Sequence, residues 1–578
     1  MVMGLITTNE ARCRDCYRCL RACPVKAIRI RTGDGADNLY AQVMAELCVQ
    51  DARCVLACPQ KAKKVASDLK QVKQQLKQGV PMAAGVAPSF VAGLPLHKPG
   101  QMPALLRRLG FSRVQETALG AELVAMAHRR MGLSEPVISS ACPVVVNLIE
   151  RHYPELLPLL APVVSPMVAH GRYMKKMYPG HRTVFIGPCA AKKEEARTSG
   201  IEDAVDFVLG FDEFWEWVQD EGLDCDGLAE TAFDGPRPGP ARLFPIEGGL
   251  FKTIYAGGSA KKEHITVTGL QNCIDFLKHL SRDKASVPGL MELLACRGGC
   301  IDGPLALCRE DDIFARRRRV INYYKETARQ AEDTGNVNVE ELPVALMQRQ
   351  FTSRQITMPI PDDDAIKHIL ARTGKYRPED ELNCGACGYE TCRDKAVAVY
   401  RGNAEVQMCI PYMRKRAESM SNQVLTAMPN AVIIVNGNLV VKEVNPAAER
   451  MFKCAAGEIT GKKLDQFMNP ANFIKVMESG EMLNSINTYP EMDMITREII
   501  FPLENGRVIV GILVDITAEK RQREQFELVK GQTIARAQEV ITKQMQVAQE
   551  IAGLLGETTA ETKVLLSKLI ELMRQEPF

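Results

Sequence analysis

The run Cys13, Cys16, Cys19, Cys23, Pro24 constrains this 578-residue sequence more than any other feature. Its spacing, C-x2-C-x2-C-x3-C-P, lets three thiolates wrap one cubane of iron and sulfur while the fourth reaches a second cluster. Structural zinc rarely uses three cysteines at so close a double spacing. A second run repeats the pattern as Cys48, Asp51, Cys54, Cys58, Pro59, with an aspartate where the second cysteine belongs. Nineteen cysteines occur in all, seven of them before residue 60 and four between 384 and 409. The sequence has no run of eighteen apolar residues, and its start, MVMGLITTNEARC, lacks the apolar region of a signal peptide, so a soluble cytoplasmic chain is expected. Thiols stay reduced in that compartment, which makes the cysteines metal ligands rather than disulfide partners.

Length alone suggests roughly three to five domains. The composition, 46% hydrophobic and 25% charged, is that of a globular chain. A formal net charge of +3 gives no electrostatic footprint for nucleic acid, even with Arg316, Arg317, Arg318 and Arg319 in a row. That run reads as a solvated or phosphate-free structural face. Neither a nucleic-acid nor a membrane partner is expected.

Residues 1–78 resemble a two-cluster bacterial ferredoxin domain. By that resemblance Cys13, Cys16, Cys19 and Cys58 hold one 4Fe-4S cluster, and Cys23, Cys48 and Cys54 hold the other. Asp51 departs from the pattern. A carboxylate is a harder ligand than thiolate, so this second cluster is either aspartate-ligated or open to losing one iron, and a bystander role for Asp51 also stands.

From 79 to 345 apolar runs such as VAPSFVAGL and RTVFIGP alternate with helical patterns such as VVVNLIERHYPELLPLL, an α/β arrangement. Cysteines fall at element ends beside glycine and proline, in SSACP (139–143), GPCAAKKEE (187–195) and ELLACRGGCIDGP (292–304), where backbone can approach a bulky group. Together these segments resemble the signature motifs of the FeFe hydrogenases. The resemblance implies that Cys142, Cys189, Cys296 and Cys300 hold a 4Fe-4S subcluster, with Cys300 bridging to a diiron centre that carries carbonyl and cyanide ligands. It further implies that Ala87, Pro88 and Ser89 contact diatomic ligands and that Lys192 donates to a cyanide, with Glu195 ending the C-x2-K-x2-E motif. Cys225, Cys273 and Cys308 lack motif partners and read as small buried hydrophobes.

The departures from the family are informative. High-turnover members have a cysteine just before the first ligand, the acid/base that exchanges protons with the diiron site; here that position is Ala141. General acid/base catalysis needs a donor within hydrogen-bond reach, so slow turnover is expected. Gly187 and Leu294 stand where methionines pack, and Met167 where a glutamine would donate to a bound carbonyl. This pattern resembles the sensory subgroup of the family.

After a linker at 346–378 that contains one short helix, residues 379–416 place Cys384, Cys387, Cys392 and Cys409 at C-x2-C-x4-C-x16-C. This resembles a small 4Fe-4S domain of anaerobic redox proteins, with zinc as the alternative occupant. Residues 417–517 resemble a PAS domain: two alternating strands around NGN, a helix carrying NPAAERMF, and later strands ending at Asp515, Ile516, Thr517. No histidine follows His368, which argues against a histidine-ligated haem there, and Cys454 reads as a core residue. From 518 to 578 a helical tail carries a seam of Ile534, Ala537, Ile541, Met545, Ala548, Ile551 and Leu555, suited to a coiled coil or a two-helix pairing, with a homodimer through the PAS domain and tail as one outcome. Gly556 breaks it before a leucine-rich helix at 559–573.

The expected fold class is therefore multidomain α/β and α+β: a ferredoxin-like domain, a central α/β FeFe-hydrogenase domain, a small 4Fe-4S domain, a PAS domain and a helical tail. The resemblance implies hydrogen and protons as substrates, a ferredoxin-like electron partner, and an output read from the tail by a downstream signalling protein. An ordinary ferredoxin-linked hydrogenase, or a cubane-only iron-sulfur protein acting in redox binding or cluster assembly, are the other readings.

Overall fold

The computed structural model describes residues 4–32, 39–131, 136–225, 227–256, 263–283, 289–332, 343–503, 507–552 and 559–575. The chain divides into two compact units, residues 1–412 and 413–578.

In the first unit the two N-terminal cysteine runs fold the same way. Strand Ile6–Thr8 pairs antiparallel with Lys63–Val65, and Ile28–Thr32 with Leu39–Val43. Short helices Arg18–Ala22 and Arg53–Leu56 carry Cys19 and Cys54. The backbone takes positive φ at Asp15, Tyr17 and Lys26 and again at Gln50, Ala52 and Lys61. Each pair is separated by the interval that separates Cys13 from Cys48, so one strained loop is built twice. Six non-glycine residues in the left-handed region cost about 1 kcal/mol or more each. Asp51 therefore occupies the place of Cys16, as the spacing requires.

The central region is built on two parallel sheets. One runs, edge to edge, Arg113–Glu116, Met82–Val86, Arg182–Gly187, Phe207–Gly210; the other runs His264–Thr268, Leu290–Leu294, Val137–Ile138. Met82–Val86 and Leu290–Leu294 are buried at every position, so the first is apolar throughout and the second is apolar except at Glu292. Helix Leu69–Lys77, within the segment assigned above to the ferredoxin-like domain, packs Leu69, Val72 and Leu76 into the central core. The segment read as a linker is anchored along its first part. Met347 is buried, Gln348 bridges to Val163, and Arg349 and Arg354 pair with Glu195 and with Glu150 and Glu194. Its one short helix is Asp363–Ala371, capped by Asp362.

The small cysteine lobe at 379–412 is docked on the N-terminal cluster domain. Arg21 Nη1 donates to the Ala386 carbonyl (2.9 Å) and the Ile30 amide to the Asn403 carbonyl (3.3 Å). Tyr389, Ala398, Ala404 and Met408 share one apolar cluster with Leu20, Ile28 and Ile30. Gly388 sits at φ +96°, and a Cβ there would lie 3.0 Å from Leu20 Cγ. Gly388→Ala is expected to strain the backbone and push the lobe off this face, at roughly 1–3 kcal/mol. Amide hydrogen exchange at Ile30 should then accelerate at least several-fold; unchanged protection would show that the lobe docks without this contact.

The second unit is a five-stranded antiparallel sheet in the order Val441–Val444, Ala431–Asn436, Val508–Asp515, Met494–Leu503, Leu483–Tyr489. Helices Pro446–Phe452 and Ala471–Ser479 cover its core. Buried Asn445 staples strand to helix: its Oδ1 accepts from the Val432 and Ala448 amides and its Nδ2 donates to the Leu425 and Asn430 carbonyls. Thr517 closes the sheet by accepting from the Ile495 amide and donating to Asp515. Cys454 is partly buried against the core. Helix Thr517–Ala552 packs against Thr559–Gln575. Along the seam Ile534, Ala537, Ile541, Met545 and Ala548 are half-buried while Ile551 is exposed; Leu555 and Gly556 lie outside the described residues. No described helix is long and apolar enough to cross a membrane.

Candidate functional site

Both central sheets deliver their carboxyl ends to one place. Ala87, Pro88 and Ser89 follow Val86; Thr117 follows Glu116; Pro188 and Cys189 follow Gly187; Ser139, Ala141 and Cys142 follow Ile138; and Ala295 and Cys296 follow Leu294. Open parallel sheets bind ligands at this end. Here all of these residues, with Cys300, Lys192, Met167 and Leu294, line a single cavity of about 110 Å³. The sequence-predicted set is thus brought together.

Local structure explains each position. Cys142 is the residue before helix Pro143–His152, whose first proline suits a helix start. Cys300 opens the short turn Cys300–Asp302 after Gly299, which has φ +100° and whose Cβ would collide with the Pro245 backbone. Only glycine lets that turn lie so close. Arg316 is buried and donates to the Ile301 carbonyl and to Asp302, pinning the turn from below. Of the two readings of the arginine run, the structural one holds at its first member, because the helix Ile313–Glu332 turns that position inward. Cys308 is half-exposed rather than buried, while Cys225 and Cys273 are buried.

Burial governs the electrostatics. Desolvation, reinforced by Cys142, pushes the Cys189 thiol up to about 11, and Cys300, whose side chain is exposed into the cavity, rises to about 12 through desolvation by the surrounding protein and then through Cys142 and Cys189. Cys296 is raised in the same way. Such thiols become thiolates when metal replaces the proton. Lys192 Nζ donates to Glu195 Oε2 at 2.7 Å, and Glu195 also accepts from Ser165 and Arg349, so the ammonium is held at the cavity wall by a fully engaged carboxylate. Ser89 Oγ is buried with no hydrogen-bond partner. Buried polar atoms are otherwise paired, so this hydroxyl points to a polar occupant.

One lining residue escaped the sequence reading. Glu292 lies in the wholly buried strand Leu290–Leu294, accepts from the Gly248 and Leu250 amides and from Thr266 Oγ1, and is the carboxyl among the described cavity-lining residues. Burial raises its pKa to about 7, against those hydrogen bonds. The available signal was an acid set between leucine and methionine four residues before a ligand cysteine. At Gly187 a Cβ would meet the Phe185 ring, which itself lines the cavity and takes up that space.

Residues 80–304 match the family of the iron-only hydrogenase large subunit, C-terminal domain. The central region is an iron-only hydrogenase-like domain. Residues 12–62 match a 4Fe-4S dicluster domain, 380–411 an Fe-S cluster family, and 419–486 a PAS domain. The chain is 25% identical over 376 residues to the NADP-reducing hydrogenase subunit HndD of Solidesulfovibrio fructosivorans, which covers 55% of this chain and 59% of that protein. It is 26% identical over 366 residues to the periplasmic Fe hydrogenase large subunit of Nitratidesulfovibrio vulgaris, 52% of this chain and 86% of that one. It is also 27% identical over 222 residues to the cytosolic Fe-S cluster assembly factor NAR1 of Encephalitozoon cuniculi, 35% and 60%. A solved FeFe-hydrogenase structure on stepwise H-cluster assembly aligns with TM-score 0.39 and 18% identity, over 50% of this chain and all of that one. The chain thus spans 59% of the length of the first of these relatives.

Around the hydrogenase domain lie the other cysteine sets. Cys19, Cys23, Cys48 and Cys54 are buried and Cys16 is exposed, with Cys13 and Cys58 between. Asp51 Oδ2 is buried without a hydrogen-bond partner, with Arg53 Nε at 3.5 Å, and burial raises its carboxyl to about 6. That free oxygen fits a ligand role in the second cluster. Asp51 and Arg53 line a cleft together with Cys189 and Cys296, so the second N-terminal cysteine set adjoins the central one. Arg151 of that domain donates to the Ala45 and Cys48 carbonyls and pairs with Glu194, tying the two together. Cys384, Cys387, Cys392 and Cys409 line a further cavity with Lys375 and Lys395.

Proposed function

We propose that this chain is a sensory FeFe hydrogenase of low turnover, which oxidises hydrogen reversibly and passes its redox state through iron-sulfur clusters to a PAS and helical output. One observation supports the reading above others. The cavity keeps four converging cysteines, Lys192 and an unpartnered Ser89 hydroxyl, yet at Ala141 it has no titratable group. The residues present fit the group the family implies. Cys142, Cys189, Cys296 and Cys300 would hold the iron-sulfur group, and Lys192 and Ser89 would face its anionic and diatomic ligands. When bound, a diiron centre supplies heterolytic hydrogen splitting. The protein's part is to exclude water with an apolar wall, to fix the ammonium through Glu195, and to move protons without a cysteine at 141.

The likeness to a NAR1 assembly factor favours a second reading, a cubane-only protein of the same fold. Infrared spectroscopy of protein matured with a diiron site separates the two. Metal-bound carbonyl and cyanide bands are expected, and a spectrum without them, from protein with intact cubanes, leaves the cubane-only reading. Hydrogen and a ferredoxin-like donor or acceptor are the proposed partners, with a downstream protein that reads the tail and with a second copy of this chain pairing through the helices.

A further inference from the structure

The cysteine set at 384–409, the third outside the central domain, has an electrostatic setting that the two N-terminal sets lack. Lys375 and Lys395 are both buried, at 9% and 7% exposure, and both line the cavity formed by Cys384, Cys387, Cys392 and Cys409. Lys375 Nζ donates to Cys409 Sγ at 3.3 Å and to Thr373 Oγ1 at 3.0 Å, and Lys395 Nζ donates to the Val406 carbonyl at 2.7 Å. Among the described residues neither ammonium pairs with a carboxylate. Two buried cations without counter-ions are costly. The cost falls when the cavity holds an anion, and four thiolates around an oxidised 4Fe-4S core carry a net charge of about −2, which becomes about −3 on one-electron reduction.

At the N-terminal sites the cations nearby are matched by carboxylates. Asp51 acts on Cys23, Cys48 and Cys54 and pairs with Arg53, Arg151 acts on Cys48 but pairs with Glu194, and a single buried lysine, Lys63, is shared between Cys19 and Cys54 while donating to Thr8 and the Ala41 carbonyl. Nearby positive charge favours the more negative, reduced state, and a low-dielectric interior magnifies the difference.

We propose that Lys375 and Lys395 raise the reduction potential of the third cluster above those of the two N-terminal clusters, making it the place where an electron entering the chain collects. The step is a one-electron transfer from a reduced N-terminal cluster, which is oxidised, to the third, which is reduced; no bond is made or broken. The lobe's docking serves it, since Cys387 and Tyr389 share a packed cluster with Cys13, Cys19, Cys23, Cys48 and Cys54. The inference rests on iron-sulfur occupancy of the third site and not on hydrogen chemistry. Missing infrared bands would leave it standing.

The test is a mediated redox titration of the full-length protein with its iron-sulfur clusters, followed by electron paramagnetic resonance. The third cluster's signal is assigned by its loss in a Cys384→Ala, Cys387→Ala variant. In the unaltered protein its midpoint should lie above those of both N-terminal clusters. Lys375→Met and Lys395→Met should each weaken its electron affinity at least tenfold, a midpoint 59 mV lower for a one-electron couple, with the N-terminal midpoints unmoved. Lys375→Arg, which keeps the charge, should restore most of the shift. A third-cluster midpoint below the N-terminal ones, zinc in place of iron at 384–409, or an unmoved midpoint in iron-replete methionine variants would each overturn the proposal. The first two outcomes need no lysine variant to fold.

Discussion

Ala141→Cys is expected to raise hydrogen turnover of the matured protein by about two orders of magnitude. Ala141 lines the cavity beside Cys142 on the same wall as Ser139, so a thiol there enters the pocket directly. A positioned acid/base group contributes about 10²–10⁴-fold to a proton-transfer step, and the lower figure suits a pocket in which Gly187, Leu294 and Met167 also differ from high-turnover relatives. Amperometric detection of hydrogen, normalised to infrared band intensity, checks the result. Unchanged turnover with intact bands would mean that proton delivery does not limit this chain.

The converse prediction concerns the turnover that remains without a cysteine at 141. Glu292 is the carboxyl on the cavity wall, and with its pKa near 7 it is poised to give and take a proton close to neutrality. Glu292→Gln keeps the size and most of the hydrogen bonding, and should lower residual hydrogen turnover or hydrogen-deuterium exchange about 10²-fold. An inflection near pH 7 in the unaltered protein should vanish with it. Stability gives an independent readout. A carboxyl raised from 4.5 to about 7 on folding binds its proton more tightly in the native state, so its contribution is full below pH 4.5 and is lost as pH rises towards 7. The melting temperature of residues 1–412 should fall across that window and flatten in the glutamine variant. A variant with the original pH profile and turnover would assign proton movement elsewhere.

What could be read in advance was whatever depends on local spacing. The intervals between Cys13 and Cys58 carry the repeated loop, because each left-handed residue is set by its distance from a ligand. The glycines of CRGGC gave the tight turn at Cys300 for the same reason. The alternation around NGN placed the hairpin Ala431–Asn436 with Val441–Val444. What escaped depends on partners distant in the chain. Glu292 looks like an interruption in a leucine-rich strand until Gly248, Leu250 and Thr266 are folded against it. Arg316 is indistinguishable from its neighbours in RRRR until the helix turns it under Asp302. The segment at 346–378 has a linker's composition, and only its ion pairs with Glu150, Glu194 and Glu195 make it a strap.

The docking of the small cysteine lobe on the N-terminal domain also sets a clock for biosynthesis. Arg21 and Ala386 are separated by 365 residues, and a ribosome adding roughly 5–20 residues per second delivers the second about 20–70 s after the first. Throughout that interval the first-made domain has no cover for the surface around Leu20 and Ile30. The part of that surface the lobe covers, beside Leu20 and Ile30, spends the wait open to water or to a chaperone.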